Sequence, residues 1–458
     1  MISESDLGRR NFLKTAGLIS AASLPLQAAR AEKPKSAENP KNLIFLVADG
    51  MGTGTLSAAH FWKQHTEGVD SEWIKLYSDK TVTRSFQDTA SASSFITDSA
   101  AAGSAWGCGY RVNNGTINIT PDGKKPTPLF VHAKNAGKAT GLVSTCSITH
   151  ATPAAFAVNM ESRNAEEAIA DQYLEREMDV YLGGGLSSFH REDSNIIPEF
   201  EKKGYAYAGD RKSLKKAAKK DRMLGLFSEG HLPYVIDRVN DPAFKGMPNL
   251  EEMFEASLDV LSRNLNGFVL QVEAGRVDHA GHENDPATIV YEQLEFDRCI
   301  KVARNFMKKS PDTLLVVTTD HGCGGCQFTG ARGMGIGLPE ALDNIAKFKG
   351  SFSSMGAKFK ETGKFDPETF EKLTTIKASA EKAAKVEALV PEYKGWFSAV
   401  VGHVFADELA QLTGFGWSSH NHTAEHVESV AVGPGSEAFP AFYRNNEIFG
   451  ILREVLKV

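Results

Sequence analysis

The sequence predicts an α/β protein built on a mostly parallel central sheet with helices on both faces. Short apolar runs recur along the chain, which is typical of buried parallel strands. These runs occupy residues 42–50, 139–145, 178–185, 267–275, 312–322 and 427–435. Stretches with helical periodicity, such as residues 166–178, lie between them. Strand and helix therefore alternate, as expected of a parallel sheet covered on both sides.

Composition limits the class of partner. The chain has 458 residues, of which 41% are hydrophobic and 24% are charged, so it can bury a large core. Its formal net charge of −6 at pH 7 argues against a nucleic-acid partner. An anionic substrate would therefore need positive charge concentrated locally, from arginine or from a metal ion.

The N-terminal segment predicts export. Residues 1–31 contain the pair Arg9–Arg10, then a weakly apolar stretch, then the small-x-small pattern Ala29–Ala31, and so resemble a twin-arginine signal. The apolar stretch is too short for a membrane span, and Pro25 interrupts it. A polar linker follows at residues 32–41. We therefore expect a periplasmic or secreted protein.

Two charged stretches predict helices outside the sheet. Residues 337–411 are Lys-rich and helical in pattern, with Asp366-Pro367 as a helix-start signal, and predict an insertion beside the sheet or over its active edge. The run at residues 211–222 predicts a solvated helix face.

Residues 96–109, ITDSAAAGSAWGCG, place an acidic residue directly before a serine and a run of small residues. In one interpretation Asp98 caps a helix, and alanine and glycine let that helix pack closely. In the other, Ser99 lies at a helix N-terminus, where the backbone dipole favours negative charge and a hydroxyl can act as a nucleophile. This stretch alone leaves both open.

Acidic residues and histidines cluster at several predicted strand ends. Asp49 ends the first apolar run, Glu273 ends a later one, and Asp320-His321 end the next. One such residue is usually a cap or a turn residue, whereas several at one sheet edge would repel each other unless cations lay among them. Mixtures of aspartate, glutamate and histidine suit zinc, and oxygen-rich sites suit magnesium.

A set of motifs resembles the alkaline phosphatase family. They occur in that family's order and, from about residue 42 to residue 458, they read LVADGMG, TDSAAAGSAWGCG, HATPAAFAVNMESR, LQVEAGRVDHAGH, VVTTDHG and HTAEHV. The match is weakest across residues 330–418. The resemblance implies hydrolysis of phosphate monoesters at two zinc ions and one magnesium ion. Members are often homodimers.

The resemblance also implies roles for individual residues. Ser99 would be the nucleophile that becomes phosphorylated, Arg163 would clamp the phosphate, and Asp98 would orient that arginine. The implied ligands of one zinc ion are Asp49, Asp320, His321 and the Ser99 oxygen. The implied ligands of the second zinc ion are Asp278, His282 and His422. The implied ligands of the magnesium ion are Asp49, Thr152 and Glu273.

Local patterns agree with several of these roles. Asp278 and His282 are four residues apart and share one face of a helix. A guanidinium such as that of Arg163 is planar and can bind two phosphate oxygens. Asn164 and Glu167 match a capping box, which predicts that a helix begins just after Arg163.

Other histidines and a cysteine pair have weaker assignments. His150 and His279 stand where some family members carry aspartate and lysine. The imidazole of His150 is a softer donor than a carboxylate, so magnesium is expected to bind less tightly there. His279 is a candidate phosphate contact. His420 and His426 are interpreted as exposed loop residues. The Cys323/Cys326 pair predicts a disulfide in an oxidising compartment, with a thiolate that competes for zinc as the alternative.

Three other functions compete with a phosphomonoesterase. A related phosphodiesterase is compatible with the same metals, since residues 337–411 can shape a pocket for a second substituent. A sulfatase requires C/S-x-P-x-R, and Ala101 and Gly103 occupy the proline and arginine positions. An inactive phosphate- or metal-binding protein would lack a nucleophile or a ligand, and none is missing.

Overall fold

The core of the computed structural model, which describes residues 39–329 and 337–458, is a ten-stranded sheet. Its strands are β1 (Asn42–Ala48), β2 (Thr83–Gln87), β3 (Ala139–Ser147), β4 (Val180–Gly184), β5 (Tyr205–Ala208), β6 (Arg222–Leu226), β7 (Phe268–Ala274), β8 (Thr313–Thr318), β13 (Val427–Val432) and β14 (Phe442–Tyr443). Four short strands pair outside it: β9 (Gly322–Cys323), β10 (Gln327–Phe328), β11 (Phe415–Gly416) and β12 (His422–Thr423).

Helices connect the strands. In the first half of the chain they are α1 (Thr53–Glu67), α2 (Glu72–Ser78), α3 (Ser99–Cys108), α4 (Leu129–Asn135), α5 (Ala151–Ala155), α6 (Glu166–Arg176), α7 (Leu186–Phe189), α8 (Ile197–Lys202), α9 (Arg211–Ala217) and α10 (Val235–Asn240). The others are α11 (Leu250–Leu261), α12 (Arg276–Glu283), α13 (Pro286–Met307), α14 (Leu338–Ile345), α15 (Gly356–Thr362), α16 (Pro367–Thr374), α17 (Ala380–Leu389), α18 (Phe397–Val404), α19 (Ala406–Thr413) and α20 (Glu447–Leu456). Short 3₁₀ turns lie at Pro242–Phe244, Phe352–Met355 and Ser436–Ala438.

The strand order is β14-β2-β13-β8-β1-β7-β3-β4-β6-β5. From β8 to β5 every pairing is parallel, which confirms the predicted fold class and five of the predicted strands. The sixth run, at residues 427–435, is also a strand, but β13 is antiparallel to both neighbours, so its assignment as a parallel strand was wrong. A strand that pairs with the buried β8 is apolar whether it runs parallel or antiparallel to β8, so the apolar run at residues 427–435 did not reveal the direction of β13.

Both faces of the sheet are covered. Along β1, Leu43, Phe45 and Val47 belong to one hydrophobic core, and Ile44 and Leu46 belong to the other. All of these side chains are fully buried. Side chains that alternate between two cores are the reason that β1 reads as a continuous apolar run rather than an alternating one.

The segment at residues 337–411 is helical, as predicted, and forms α14 to α19. Asp366 accepts a hydrogen bond from the backbone of Thr369, with Pro367 in the first turn, as the helix-start signal indicated. Helix α18 packs against α12: a Cβ added at Gly402 would lie 2.0 Å from the carbonyl oxygen of Glu283. The insertion therefore lies directly beside the helix that contains Asp278 and His282.

The charged run at residues 211–222 is only partly a helix. Helix α9 ends at Ala217, and Arg222 begins β6, a strand that the lysine-rich composition concealed.

The predicted signal at residues 1–31 and most of the linker at residues 32–41 lie outside the described residues. The described residues, 39–329 and 337–458, belong to one compact unit. None of the helices that the structure describes is both long and apolar enough to cross a membrane.

Candidate active site

Helix α3 begins at Ser99, and Asp98 contacts both the first turn of this helix and Arg163. Its Oδ1 accepts a hydrogen bond from Ala101 N at 3.0 Å, which caps the helix, and its Oδ2 accepts one from Arg163 Nη1 at 3.0 Å. Every residue of α3 is buried, and a Cβ added at Gly107 would lie 1.9 Å from the carbonyl oxygen of Ala155 on α5. The small residues therefore allow close packing, and this packing fixes the position of Ser99.

Three neighbouring strands deliver acidic residues to one edge of the sheet. Val47 of β1 is in register with Glu273 on β7 and with Thr318 on β8. Asp49 follows β1 and Asp320 follows β8, so these side chains meet where the parallel strands end. This is the edge at which ligands bind in open α/β sheets.

The first group of possible ligands consists of Asp49, Asp320 and His321, and His321 contacts Ser99. His321 Nε2 lies 3.2 Å from Asp320 Oδ2, 3.7 Å from Asp49 Oδ1 and 3.3 Å from Ser99 Oγ. Asp320 Oδ1 accepts hydrogen bonds from the backbone of Gly50 and His321, both at 3.0 Å, which leaves Oδ2 directed at the group.

The second group contains Asp278, His282 and His422, together with Cys323. Asp278 Oδ2 lies 3.3 Å from His282 Nε2, and Asp278 Oδ1 lies 3.4 Å from His422 Nε2. The two Nε2 atoms are 3.0 Å apart. The i, i+4 spacing on α12 therefore places Asp278 and His282 on one face, as predicted.

Backbone carbonyls fix the tautomers of the three histidines in these groups. The Nδ1 atoms of His282, His422 and His321 contact the carbonyl oxygens of His420, Thr97 and Gly322 at 2.5, 2.8 and 3.3 Å. A carbonyl oxygen only accepts hydrogen bonds, so each Nδ1 is the protonated nitrogen and each neutral ring directs an Nε2 lone pair at the group. This is the orientation that a metal ligand requires.

The third group comprises Asp49, Glu273 and His150, each with a ligand atom within 4.8 Å of the others. Thr152 Oγ1 donates to Asp49 Oδ2 at 3.3 Å, and Ser144 donates to Glu273. Thr152 is therefore at the predicted place. His150, which the sequence identified only by its departure from the family pattern, is itself close enough to bind a cation here.

The three groups concentrate negative charge in the interior. Burial and repulsion from Asp320 raise the pKa of Asp49 well above its usual range. Burial raises the pKa of Asp320 to about 6 and that of Glu273 to about 7. Burial alone would raise the pKa of Asp278, but His282 and His422 hold it well below its usual range.

Unpartnered oxygens in these groups indicate cations. The oxygens that are buried without a hydrogen-bond partner among the described residues include Asp49 Oδ1, Glu273 Oε1, Asp278 Oδ1 and Asp320 Oδ2. Buried carboxylates without partners are costly, and bound cations remove that cost. The donor set of carboxylate oxygens and imidazole nitrogens therefore fits zinc and, in the third group, a harder ion.

Arg163 lies at the mouth of the site. Its Nη1 donates to Asp98, and its Nη2 contacts His150 Nε2 at 2.9 Å. The predicted capping box at Asn164 and Glu167 was wrong: α6 begins at Glu166 after Ala165, with no side-chain cap. Instead, the backbone hydrogen bond from Arg163 N to Gly115 O, at 2.8 Å, positions the arginine.

His279 packs against His150 of the third group, with ring centroids 5.8 Å apart. Its Nδ1 is 2.6 Å from Arg276 Nη1, and a guanidinium only donates, so Nδ1 accepts and Nε2 bears the hydrogen. His150 is likewise an acceptor from Arg163. Burial, followed by the charges of these arginines, lowers the pKa of both histidines well below the usual range.

His231 completes this set and was missed by sequence analysis. Its ring centroid lies 4.6 Å from that of His279 and 5.6 Å from that of His150. Its Nδ1 accepts a hydrogen bond from Ser147 N at 3.0 Å, and burial lowers its pKa to about 3. His231 stands alone in a loop between β6 and α10, so the sequence carried no pattern to identify it.

His420 and His426 are not in the ligand groups. His420 Nδ1 donates to the carbonyl oxygen of His282 at 2.8 Å, so this partly buried ring contacts a residue of the second group rather than lying free in a loop. His426 is exposed against Phe442, as predicted.

The predicted disulfide was wrong, because all five cysteines are free thiols. Between Cys323 and Cys326, Gly324 and Gly325 both have positive φ angles, of 71° and 59°, and reverse the chain. Cys323 lies among the second group of ligands, and Cys326 packs into the hydrophobic core beside α1.

Comparisons with known proteins agree with this site. A family model described as alkaline phosphatase matches residues 40–458. Alkaline phosphatase 3 of Bacillus subtilis is 35% identical over 94% of this chain and 92% of its own, and alkaline phosphatase 4 of the same organism is 33% identical over 97% and 94%. The crystal structure of Thermus thermophilus alkaline phosphatase superposes with a TM-score of 0.84 at 33% identity, covering 95% of this chain and 96% of that one.

The fold and these relatives define a phosphomonoesterase. The chain belongs to the alkaline phosphatase family, so it is an enzyme of a metal-dependent class that hydrolyses phosphate monoesters.

Proposed function

We propose that this chain hydrolyses phosphate monoesters through a phosphoserine formed on Ser99. The observation that carries the proposal is the position of Ser99 Oγ, 3.3 Å from His321 Nε2 at the start of a buried helix. The hydroxyl thus lies beside the first ligand group and close to the guanidinium that Asp98 holds.

We assign two zinc ions and one magnesium ion to the three groups. The residues that would hold the first zinc ion are Asp49, Asp320 and His321, and those that would hold the second are Asp278, His282 and His422. The residues that would hold magnesium are Asp49, Thr152 and Glu273. Metal ions in such a pair stabilise the attacking and the leaving oxygens of an in-line displacement. Because His150 is a softer donor than carboxylate, we expect magnesium to bind less tightly than at an all-oxygen site.

The chain's own residues position the substrate. Arg163 binds two phosphate oxygens, while Asp98 keeps its guanidinium from turning away. Ser99 Oγ then replaces the ester oxygen on phosphorus, and the alcohol leaves with a proton. Water next replaces Ser99 Oγ, which releases inorganic phosphate and restores the hydroxyl. The N-terminus of α3 favours the negative charge that develops at this oxygen.

Substitution of Ser99 by alanine tests the nucleophile. Ser99→Ala is expected to lose at least about a thousandfold in kcat, since the covalent route is removed while binding and the metal ions remain. Acid quenching with a radiolabelled monoester should trap phosphoenzyme in the wild type and none in the variant. Elemental analysis should find the same zinc and magnesium content in both. A Ser99→Ala enzyme with full activity would exclude the phosphoserine.

A phosphodiesterase remains the second candidate, because the insertion reaches the site: the Trp396 ring centroid lies 5.3 Å from that of His282. Rates on an aryl monoester and on a bis-aryl diester decide between them. A strong monoester preference supports the proposal, and equal rates would support the diesterase.

We also propose that residues 1–31 direct export to the periplasm or the medium, and that the mature chain forms a homodimer. Replacement of Arg9 and Arg10 by lysine should retain the enzyme in the cytoplasm. Light scattering of the purified chain gives the oligomeric state.

A further inference from the structure

Cys323 faces His422 across a two-strand ladder. Strands β9 and β12 are antiparallel, and Cys323 and His422 are directly opposite each other in the register. Opposed residues of an antiparallel pair project on the same face, with their Cβ atoms about 5 Å apart. The thiol and the imidazole of His422 are therefore directed at the same space.

Helix α12 leaves room for the same cysteine. A Cβ added at Gly281 would lie 2.9 Å from Cys323 Cβ and 3.2 Å from its Sγ. Gly281 thus allows the cysteine to lie against the helix that contains Asp278 and His282. As a result, one ligand atom from each of Cys323, Asp278, His282 and His422 lies within 4.8 Å of the others.

The other donors of this group are short of partners. Asp278 Oδ1 is buried without a hydrogen-bond partner among the described residues. Cys323, which belongs to the same group, is also buried, with 1% of its surface exposed. The two Nε2 atoms lie 3.0 Å apart, and in the neutral rings both present lone pairs, which a shared cation would satisfy.

We propose that Cys323 is a fourth protein ligand of the zinc ion at Asp278, His282 and His422. The inference rests on the proposed function only in assigning zinc to this group. On binding, the thiol loses its proton to solvent and a zinc–sulfur bond forms, so zinc uptake releases one more proton than in a variant without the thiol. Sulfur makes this the softest of the three sites, which selects zinc over magnesium.

The fourth ligand has a consequence for catalysis. Structural zinc sites are closed by four protein ligands, whereas catalytic sites keep one position open. With Cys323 as a fourth protein ligand, phosphate would reach this zinc ion only by displacing the sulfur or by adding a fifth ligand. Cys323 would hold zinc tightly in the resting enzyme and give way to substrate.

Cobalt substitution tests the ligand directly. The cobalt-loaded wild type should show a thiolate-to-cobalt charge-transfer band in the near ultraviolet, and Cys323→Ser should lose it. Cys326→Ser is the matched control, because that thiol is buried three residues away in the hydrophobic core, and it should keep the band. Cys323→Ser should also bind zinc at least about tenfold more weakly, since loss of residues behind the ligands already costs that much.

Two further measurements test the proposal without relying on the Cys323→Ser variant. X-ray absorption of the zinc-loaded wild type should detect sulfur at about 2.3 Å, with no variant needed. Ser99→Ala should keep the cobalt band although it cannot turn over substrate, so failure of the proposed hydrolysis and failure of this inference are distinguishable. A wild-type enzyme without the band, or a band that survives in Cys323→Ser, would overturn the proposal.

Discussion

The two carboxylate oxygens of Asp98 accept hydrogen bonds from different partners, one from Arg163 and the other from the helix that begins with Ser99. Oδ2 accepts from Arg163 Nη1 and from Gly115 N, both at 3.0 Å, while Oδ1 accepts from Ala101 N at 3.0 Å. One side chain therefore sets the distance between the proposed nucleophile and the proposed phosphate clamp. Neither group can shift without changing the hydrogen bonds of the other.

Two substitutions at Asp98 should separate these functions. Asp98→Asn retains an oxygen that can cap Ala101 N but loses the charge that holds Arg163 and the acceptor of Gly115 N, so inorganic phosphate should inhibit it about tenfold more weakly. Asp98→Ala should show the same loss of inhibition and, in addition, unfold about 1 kcal/mol more easily because the cap is gone. Inhibition constants and urea unfolding measure the two effects. Equal stability of the two variants would contradict the capping role.

Glycine-to-alanine substitutions in α3 and in α20 should have opposite effects on stability, because only the α3 glycine packs against a neighbouring backbone. At Gly107 the new Cβ would lie 1.9 Å from a backbone oxygen of Ala155, so Gly107→Ala should destabilise the fold by about 1–3 kcal/mol. At Gly450 in α20 nothing lies within 4 Å of the added atom, so Gly450→Ala should stabilise by up to about 1 kcal/mol. Urea unfolding of the metal-loaded enzyme compares them, and a neutral Gly107→Ala would refute the close packing.

Removal of the metal ions should destabilise the fold more as pH rises. In the metal-free chain the carboxyl pKa values of Asp320 and Glu273 are raised to about 6 and about 7, above their unfolded values. The folded state then binds more protons than the unfolded state, and stability falls as pH rises through this window. His422, raised to about 9, acts in the same direction above its unfolded pKa.

Melting temperatures with and without chelator test this dependence. The difference between loaded and metal-free enzyme should be clearly larger at about pH 8 than at about pH 5.5, because bound cations compensate the ionised carboxylates. A difference that is constant across this range would mean that the carboxylates do not face one another.

Two substitutions of His231 should differ in their effect on the free energy of unfolding. His231→Phe leaves the buried Ser147 N–H without its acceptor and should cost about 1–3 kcal/mol. His231→Asn can supply an acceptor oxygen and should recover part of that loss. Thermal unfolding measures both, and a phenylalanine variant as stable as the asparagine variant would exclude the hydrogen bond.

The sequence predicted the parts of this protein that local pattern determines. Five parallel strands, the helix beginning at Ser99 and the shared face of Asp278 and His282 on α12 follow from apolar runs, a capping residue and helical spacing. The order of motifs, rather than any single spacing, identified His422 and Arg163.

Tertiary relationships were beyond the sequence. The position of His231, and the placement of Cys323 rather than Cys326 in the second group, both depend on which loops meet at the sheet edge. The disulfide prediction failed because the two thiols lie in different surroundings, Cys323 in the second group of possible ligands and Cys326 in the hydrophobic core. The direction of β13 could not be predicted from burial, because a strand beside the buried β8 is apolar in either orientation.

The reversed direction of β13 has a consequence for assembly of the site. In a parallel strand the residues that follow it reach the catalytic edge, whereas in β13 the residues that precede it do so, and these include His422. His422, the last proposed zinc ligand in the chain, is therefore held in place by the docking of β13 between β2 and β8. A chain that lacks its final residues, about forty of them, would lack His422 and could not complete the second group, so under the proposed assignment we expect it to bind less zinc than the full chain.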